Sequence, residues 1–356
     1  MVFEAMTPLE RMAAYNKGAV IDRLPCVPIV GNIAARVIGV KVSEFQGNGK
    51  LIAKAQIAAY RRFRYDVIRI FTDLYGQAEA MGAKVYYPAD ETAYLDVPAI
   101  SNIADIRSLQ PADPYKDGNL PQHLEAMKLT LEAVGKEVPV TGAITGPFTN
   151  AAFLIGTENL VRLVGKNPQA VHDLCELSLE TALRYAKAIV DIGCTPSLTD
   201  AMSSGTIISP KQFQEFSYPY LKRLIHYIHS RGKTVTLHIC GKTDKLWDLI
   251  VDAGTDSISI DNVANLLEAK VKVGHAVRLM GNISPSEVML QGTPYDVRVA
   301  VNQCVQQAYD SPKGYIVASG CSLPTETPFV NIDAMMDAVR KIGDPVNSEK
   351  SKKRAV

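Results

Sequence analysis

His238 and Cys240 stand two residues apart in an apolar, β-branched run, Thr234-Val-Thr-Leu-His-Ile-Cys-Gly241. In a β-strand, residues i and i+2 point to the same face, so this imidazole and this thiol could bind one metal ion. Cys321 ends a second run of this kind, Tyr315-Ile-Val-Ala-Ser-Gly-Cys-Ser322, and supplies a third soft ligand. Three ligands of the His/Cys/Cys type leave one tetrahedral position open, which is typical of catalytic zinc. The sequence therefore predicts a catalytic zinc site.

Short apolar runs alternate with longer amphipathic stretches along the chain. The predicted strands cover residues 24–30, 65–71, 139–145, 195–199, 234–240, 256–260, 278–283 and 315–319. The predicted helices cover residues 50–62, 120–134, 168–192, 210–231, 243–253, 263–272, 294–309 and 331–342. Alternating strands and helices form parallel βαβ units, and this number of them predicts an α/β fold, a (β/α)8 TIM barrel. An open doubly wound sheet is the alternative, but no glycine-rich phosphate-binding turn follows the first strand.

Two segments extend this alternation. Residues 8–17, before the first strand, predict an N-terminal helical extension that plugs or flanks the bottom of the barrel. Residues 74–118, after the second strand, are longer than a barrel loop requires and predict an insertion with a hairpin of residues 84–87 and 93–97. No repeat or linker divides the chain, so we expect one domain over residues 1–345. A basic, disordered tail is expected at residues 346–356.

Polar side chains recur at the predicted carboxyl ends of the strands, where (β/α)8 barrels place their active sites. Besides the metal ligands, these residues are Asn32, Asp73, Asp200, Asp261 and Asn282. Buried strands rarely carry so many polar groups, so we expect them to line a binding mouth. For the three aspartates, helix capping is an equally good interpretation, and Asp261 is also a candidate weak fourth metal ligand.

The composition argues against several classes of function. Lys and Arg number 38 and Asp and Glu 37, a net charge of +1, so we expect no surface for nucleic acid or for an anionic membrane. We find no N-terminal signal and no apolar run of the roughly 18–20 residues that a membrane helix needs. Six cysteines are scattered over 356 residues without a disulfide framework. Such usage is typical of a reducing compartment, and we expect a cytoplasmic protein.

Motifs spread over nearly the whole chain carry a family resemblance. They are Thr7-Pro-Leu-Glu-Arg11, Asp22-Arg-Leu-Pro25, Leu237-His-Ile-Cys-Gly-Lys-Thr243, Gly281-Asn-Ile-Ser284, Gly320-Cys-Ser-Leu-Pro324, Glu326-Thr-Pro328 and Asn331. Together they resemble the uroporphyrinogen decarboxylase superfamily, and more narrowly its cobalamin-dependent methyltransferase branch. That branch includes methylcobalamin:coenzyme M methyltransferases and the methyltransferases of O-demethylase systems. The resemblance implies that His238, Cys240 and Cys321 hold a catalytic zinc.

The resemblance also implies a reaction of one-carbon metabolism. A methyl group would move between a corrinoid and a small substrate, either a thiol such as coenzyme M or a methyl ether such as a methoxylated aromatic. No cobalamin-binding Asp-x-His-x-x-Gly motif occurs in the chain, so the cobalamin is expected on a partner corrinoid protein or free in solution. The polar residues of the mouth are then candidates for substrate or corrinoid contact. Whether the chain forms a homo-oligomer is left open.

Uroporphyrinogen decarboxylation is the alternative reaction. The true decarboxylase has an Arg-Gln-Ala-Gly-Arg segment after the first strand that binds the carboxylates of its porphyrinogen. Here the region reads Pro28-Ile-Val-Gly-Asn-Ile-Ala-Ala-Arg36, with a single arginine, although an octacarboxylate needs several cations. Asp73 falls where the decarboxylase keeps its catalytic aspartate, but the zinc-ligand positions of that enzyme are not a His/Cys/Cys set. A third hypothesis is a non-catalytic barrel that docks a corrinoid protein.

Overall fold

Parallel pairing joins eight strands into one sheet in the computed structural model, which describes residues 4–346. The strands of the described chain are β1 (Cys26–Val27), β2 (Ile68–Ile70), β3 (Lys84–Tyr86), β4 (Tyr94–Val97), β5 (Val140–Thr145), β6 (Thr195–Thr199), β7 (Thr236–His238), β8 (Ser257–Ser259), β9 (Arg278–Ile283) and β10 (Tyr315–Ser319). Their order in the large sheet is β1-β10-β9-β8-β7-β6-β5-β2. With helices between the strands, this is the predicted (β/α)8 barrel, and all eight predicted strands are confirmed.

The helices lie between and around these strands. Within residues 4–346 they are α1 (Pro8–Asn16), α2 (Ile33–Val37), α3 (Val42–Gln46), α4 (Gly49–Phe63), α5 (Gly76–Ala80), α6 (Leu120–Val134), α7 (Pro147–Ile155), α8 (Thr157–Lys166), α9 (Pro168–Ile192), α10 (Pro210–Phe216), α11 (Tyr218–Ser230), α12 (Trp247–Asp252), α13 (Leu266–Val273), α14 (Pro294–Ala308) and α15 (Phe329–Ile342). None of these helices is long and apolar enough to cross a lipid bilayer. Of the predicted basic tail, everything after residue 346 lies outside the described residues.

The helix predicted over residues 210–231 is two helices, so this prediction was wrong in one respect. The chain breaks at Ser217, and Pro219 follows in the first turn of α11. A proline has no N–H to donate to the carbonyl four residues earlier, so a continuous helix would lose a hydrogen bond here. At this break, the Ser217 hydroxyl donates to Asp200 Oδ2 at 2.8 Å.

The insertion after β2 has the predicted hairpin. Strands β3 and β4 pair antiparallel, with Lys84 opposite Val97 and Tyr86 opposite Tyr94. The two tyrosine rings contact each other at 5.2 Å between centroids, and both are more than half exposed. The insertion follows β2, so it lies beside the carboxyl ends of the strands.

The barrel closes where β1 meets β2. These two strands stand at the two ends of the sheet order, and their junction is made by Asp66, just before β2. The Asp66 N–H donates to the Cys26 carbonyl at 2.9 Å, and the Cys26 N–H donates to Asp66 Oδ2 at 2.6 Å. The buried carboxylate of Asp66 also pairs with Arg11 and Arg23, each at 2.6 Å. Arg11 belongs to α1, so the N-terminal helix is fastened to this junction.

Alternate residues of β7 face the surrounding helices and the interior of the barrel. Leu237 and Ile239 are buried on the helix side, each no more than 2% exposed, whereas Thr236 and His238 line a cavity in the barrel interior. This alternation is the period of two expected of a strand. It follows that Cys240, two residues beyond His238, continues the inward row toward the mouth.

Candidate metal centre

Three predicted ligands converge at the carboxyl ends of β7 and β10. One ligand atom each from His238, Cys240 and Cys321 lies within 4.8 Å of the other two. The His238 Nε2 and Cys240 Sγ atoms are 3.3 Å apart. The imidazole is buried at 4% exposure, and the two thiols are half-buried. The structure therefore brings together the residues that the spacing singled out.

The orientation of the His238 ring is determined by β8. Its Nδ1 lies 3.2 Å from the carbonyl oxygen and 3.1 Å from the hydroxyl of Ser259. A carbonyl can only accept, so Nδ1 carries the hydrogen and donates it to Ser259. The lone pair is then on Nε2, the nitrogen that faces the cysteines. A metal-binding histidine is typically held in this way through its second nitrogen.

The loop that carries Cys240 is held by Asp261. One carboxylate oxygen accepts from the Gly241 N–H at 2.8 Å and the other from the Val263 N–H at 3.1 Å. Asn282 in turn donates to the Asp261 carbonyl at 3.1 Å and to a second carbonyl in the same turn. The carboxylate of Asp261 does not join the ligand cluster. In this structure the candidate fourth ligand supports the cysteine loop instead, because both its oxygens accept backbone hydrogen bonds.

Cys321 reaches the cluster because Gly320 precedes it. A Cβ atom at position 320 would lie 2.5 Å from the backbone nitrogen of Asn262 and 2.9 Å from the Asn262 Cβ. Only a residue without a side chain lets the end of β10 pass this close to the turn after β8. That turn also contains Asp261, so the loops of Cys240 and Cys321 are packed against the same support.

The two thiols interact directly. The Cys240 thiol donates a hydrogen bond to the Cys321 sulfur, and this bond, with the nearby His238, lowers the pKa of Cys321 against the opposing effect of burial. The same hydrogen bond, reinforced by burial, raises the pKa of Cys240. One thiolate is therefore favoured at neutral pH, and a thiolate is the form that ligates metals.

The donor set fits zinc. Zn–S bonds of about 2.3 Å and Zn–N bonds of about 2.1 Å in a tetrahedron place ligand atoms about 3.6 Å apart. The observed cluster needs only a small contraction to reach this spacing. Two thiols and one imidazole are soft and borderline ligands, which favour zinc over magnesium or calcium. A fourth position would be left for a substrate atom.

Asp73 and Asn32 lie at the ends of the neighbouring strands but do not belong to the ligand cluster. The half-buried Asp73 caps α5, because its Oδ1 accepts from the backbone N–H groups of Tyr75 and Gly76 at 2.7 and 3.0 Å. Asn32 is buried, and its Oδ1 has no hydrogen-bond partner among the described residues. In this structure Asp73 therefore orders the turn before α5, and Asn32 keeps an acceptor free for a ligand or water.

Asp200 has a structural role rather than an exposed position at the mouth. Its side chain is fully buried, and Oδ1 accepts from both the N–H and the hydroxyl of Thr149, at 2.8 and 2.6 Å. Ser217 occupies the other oxygen. Burial raises the pKa of Asp200, and these hydrogen bonds oppose the rise. Asp200 thus joins α7 to the break between α10 and α11, and its side chain has no exposed surface.

Sequence reasoning missed Arg69, which lies in β2 and points into the barrel. Arg69 and His238 line the same interior cavity of about 530 Å³. A signal was present, since Arg69 is the one charged residue inside the apolar run Val67-Ile-Arg-Ile-Phe71. Ser259, which orients His238, was also missed, although Ser257-Ile-Ser-Ile260 alternates as an inward-facing polar row would.

Known proteins resemble this chain over most of its length. The methylcobamide:CoM methyltransferase MtaA of Methanosarcina barkeri is 26% identical over 337 residues, which are 92% of this chain and 96% of that protein. A uroporphyrinogen decarboxylase of Pseudoalteromonas atlantica is 26% identical over 303 residues, 83% of each chain. The solved structure of a methyltransferase from Methanosarcina mazei shares the fold, with a TM-score of 0.86 at 24% identity over 95% of this chain and 99% of that chain.

The family itself is identified by a match over the barrel. The model of the uroporphyrinogen decarboxylase (URO-D) family matches residues 7–342. This range begins at the N-terminal helix and ends with α15, so it includes all three ligand residues and the junction of β1 with β2. The resemblance expected from the motifs is confirmed, and the chain belongs to the uroporphyrinogen decarboxylase family.

Proposed function

We propose that this protein is a zinc-dependent methyltransferase that moves a methyl group from a corrinoid on a partner protein to a small thiol. The observation that carries the proposal is the convergence of His238, Cys240 and Cys321 at the carboxyl ends of two barrel strands. The Methanosarcina barkeri relative, named a methylcobamide:CoM methyltransferase, supports the reaction class. Active sites of (β/α)8 enzymes lie at this end of the barrel.

Each residue of the site has a separate task in this proposal. His238, Cys240 and Cys321 would hold the zinc, which when bound acts as a Lewis acid that favours the thiolate form of a sulfur substrate at neutral pH. Ser259 keeps the His238 Nε2 lone pair directed at the cluster. Asp261 holds the backbone beside Cys240, so the donor atoms are oriented before a ligand arrives. The corrinoid must approach from the mouth, because the barrel wall surrounds the cluster elsewhere.

A thiol is favoured over a methyl ether as the small substrate. The Methanosarcina barkeri relative is named for coenzyme M, a thiol. The soft His/Cys/Cys donor set also suits a further sulfur atom better than an ether oxygen. If the purified protein instead removes a methyl group from a methoxylated aromatic, its substrate is a methyl ether and not a thiol.

Porphyrinogen decarboxylation has less support, although a decarboxylase is among the relatives. Arg36, the single arginine of the region after β1, donates to the Thr325 carbonyl at 2.5 Å and to the Thr327 carbonyl at 3.2 Å. It is thereby engaged in holding the segment that follows Cys321. Binding an octacarboxylate requires several free cations at the mouth.

The test combines metal analysis with methyl transfer. We expect purified protein to carry about one zinc per chain and to convert methylcobalamin to cob(I)alamin when coenzyme M is added. Cys240→Ala and Cys321→Ala should each lose most of the zinc and at least roughly 100-fold of the activity, because each removes a ligand. Elemental analysis and the visible spectrum of the corrinoid measure the two quantities.

The matched control is Cys175→Ala. Cys175 is buried in α9 and does not belong to the ligand cluster, and its thiol contacts only the Phe216 carbonyl among hydrogen-bond partners of the described chain. This variant should keep its zinc and its activity. Stoichiometric zinc in a Cys240→Ala, Cys321→Ala double variant would refute the metal site. Decarboxylation of uroporphyrinogen by zinc-free protein, or failure to methylate any thiol, would refute methyl transfer to thiols.

A further inference from the structure

Arg69 is a cation in the barrel interior without a carboxylate partner. Its Nε donates to the Ser197 hydroxyl at 2.8 Å and its Nη2 to the Thr199 hydroxyl at 2.6 Å. The guanidinium lies over the Phe71 ring, 4.8 Å from the centroid. Within residues 4–346 it makes no salt bridge, and its Nη1 has no hydrogen-bond acceptor. The two hydroxyl groups satisfy two donors but carry no charge, so within the described chain the guanidinium is offset only in part, by the thiolate of the ligand cluster.

The charge of Arg69 persists at neutral pH. Burial lowers its pKa to about 10, and Cys321 and Cys240, when they carry a thiolate, oppose this decrease electrostatically. A buried cation without an opposite charge costs several kcal/mol, so folded proteins usually pair it. Arg11 and Arg23 of the same chain follow that rule, since each is paired with Asp66 and a second carboxylate. Arg69 does not follow this rule, because no carboxylate pairs with it within residues 4–346.

The cavity beside Arg69 also reaches the metal centre. It measures about 530 Å³, is lined by Arg69 and by the His238 imidazole of the cluster, and extends from there to Asn16 and Lys313. Its wall is rich in hydroxyl groups, contributed by Thr141, Ser197, Thr236, Ser257 and Ser259. Asp256 is the acidic residue of the lining, and its carboxylate already accepts from the Val235 N–H and pairs with His229. The end of the cavity next to the cluster is therefore cationic and can form hydrogen bonds.

The register of the strands places the guanidinium close to the imidazole. Thr199, which accepts from Arg69, is paired with His238 across β6 and β7. Neighbouring strands are about 4.8 Å apart, so a molecule with one end at the ligand cluster and the other at Arg69 needs a chain of roughly two to four atoms. Such a molecule is well within the size of the cavity.

We infer that Arg69 determines substrate specificity by pairing with an anionic group, a sulfonate or a carboxylate, at the far end of the substrate thiol. The sulfur would lie at the ligand cluster and the anion at Nη1 of Arg69, with the hydroxyl-lined wall around the short chain between them. This inference rests on the proposed function. It adds the residue that would bind the anionic end of such a thiol, of which coenzyme M (2-mercaptoethanesulfonate) is one.

Calorimetry on the zinc-loaded protein tests this pairing without methyl transfer. The probes are 2-mercaptoethanesulfonate and 3-mercaptopropionate, with 2-mercaptoethanol as the neutral thiol and cysteamine as the cationic one. We expect the anionic thiols to bind at least roughly 10-fold more tightly than the neutral thiol. Arg69→Met should weaken the anionic thiols by roughly 10- to 100-fold and the neutral thiol by less than about 3-fold, because a hydrogen bond to a charged group is lost. Arg69→Lys should restore part of the preference.

The control is Arg278→Met, at the opposite end of the same cavity, where Arg278 donates to Asn16 at 2.6 Å. It should leave the preference for anionic thiols unchanged. Thermal unfolding separates a structural role: Arg69→Met should melt close to wild type, because Arg69 is half-buried and makes no salt bridge within residues 4–346. Equal wild-type affinity for anionic and neutral thiols, or an equal loss for both in Arg69→Met, would overturn the inference.

Methyl transfer to thiols without regard to charge would leave the proposed function standing. Absence of any methyl transfer would refute that function, while the binding preference would still decide the role of Arg69.

Discussion

Two glycines lie next to the cysteine ligands, and the atoms around them exclude a side chain to different degrees. Gly241, after Cys240, has φ +72°, and a Cβ there would lie 2.7 and 2.8 Å from the hydroxyls of Thr206 and Ser204, which can rotate. Gly320, before Cys321, faces the backbone nitrogen of Asn262, which cannot move without displacing the turn. At the scale of single residues, Gly320 is thus the stricter requirement for bringing the third ligand into place.

We therefore predict that Gly320→Ala lowers zinc affinity by roughly 10-fold or more, in the range of other changes that misplace metal ligands. The added Cβ would push the end of β10 away from the turn after β8. Competition with a chelating dye measures the affinity, and circular dichroism verifies that the barrel remains folded. Gly165→Ala is the control, because a Cβ at this exposed position of α8 meets nothing within 4 Å. Wild-type zinc affinity in Gly320→Ala would contradict the argument.

At the scale of elements, the N-terminal motifs that carry the family resemblance build the junction of β1 with β2. Arg11 of α1 donates to Asp22 through Nε and to Asp66 through Nη1, each at 2.6 Å. Arg23 joins Asp66 to Glu4. The conspicuous charges of these motifs are therefore structural: they close the barrel at the end opposite the metal centre.

Asp66→Asn should lower the free energy of unfolding by about 3 kcal/mol, because it leaves two buried guanidinium groups short of a negative charge. Urea denaturation measures this loss. The exposed pair of Glu158 and Arg162 provides the control, and Glu158→Gln should change stability by less than about 0.5 kcal/mol. An Asp66→Asn protein as stable as wild type would show that the charge is dispensable for closure.

The absence of α7 from the predicted helices has a physical cause. Every residue of α7 is buried, so this helix has no polar face and lacks the amphipathic period by which helices are predicted. The strands and the ligand pair of β7 were predictable because both follow from a period of two. Cys321 meets that pair because the barrel closes and because Gly320 packs against Asn262. The family motifs suggested this third ligand, but the spacing of residues in the sequence could not show that it lies close to the other two. The unpaired charge of Arg69 became evident only when its neighbours were known.

At the scale of the whole molecule, the barrel has a core that does not include the metal centre. Trp247, Phe213 and Leu279 are completely buried and belong to the hydrophobic core, whereas the two cysteine ligands are half-buried. Proteins that need a structural zinc to fold, in contrast, lack a sufficient hydrophobic core of their own.

Removal of zinc with a strong chelator should therefore abolish methyl transfer and leave the secondary structure intact. The melting temperature should fall only by the amount that ligand binding contributes, and it should return together with activity when zinc is added back. Far-ultraviolet circular dichroism and thermal unfolding measure these effects. Unfolding on chelation would show that the metal is structural and would contradict this division of roles.

The position of β10 has a consequence for how the protein is made. In the described sheet, β1 pairs only with β10, nearly 300 residues later in the chain, and Tyr15 of α1 contacts the backbone of Tyr315. During synthesis, β1 waits for this partner until residues 315–319 have left the ribosome. Cys321 emerges immediately after β10. The pairing of β1 with β10 and the completion of the ligand set therefore coincide, so a growing chain cannot present the full metal site before the eight-stranded sheet is complete.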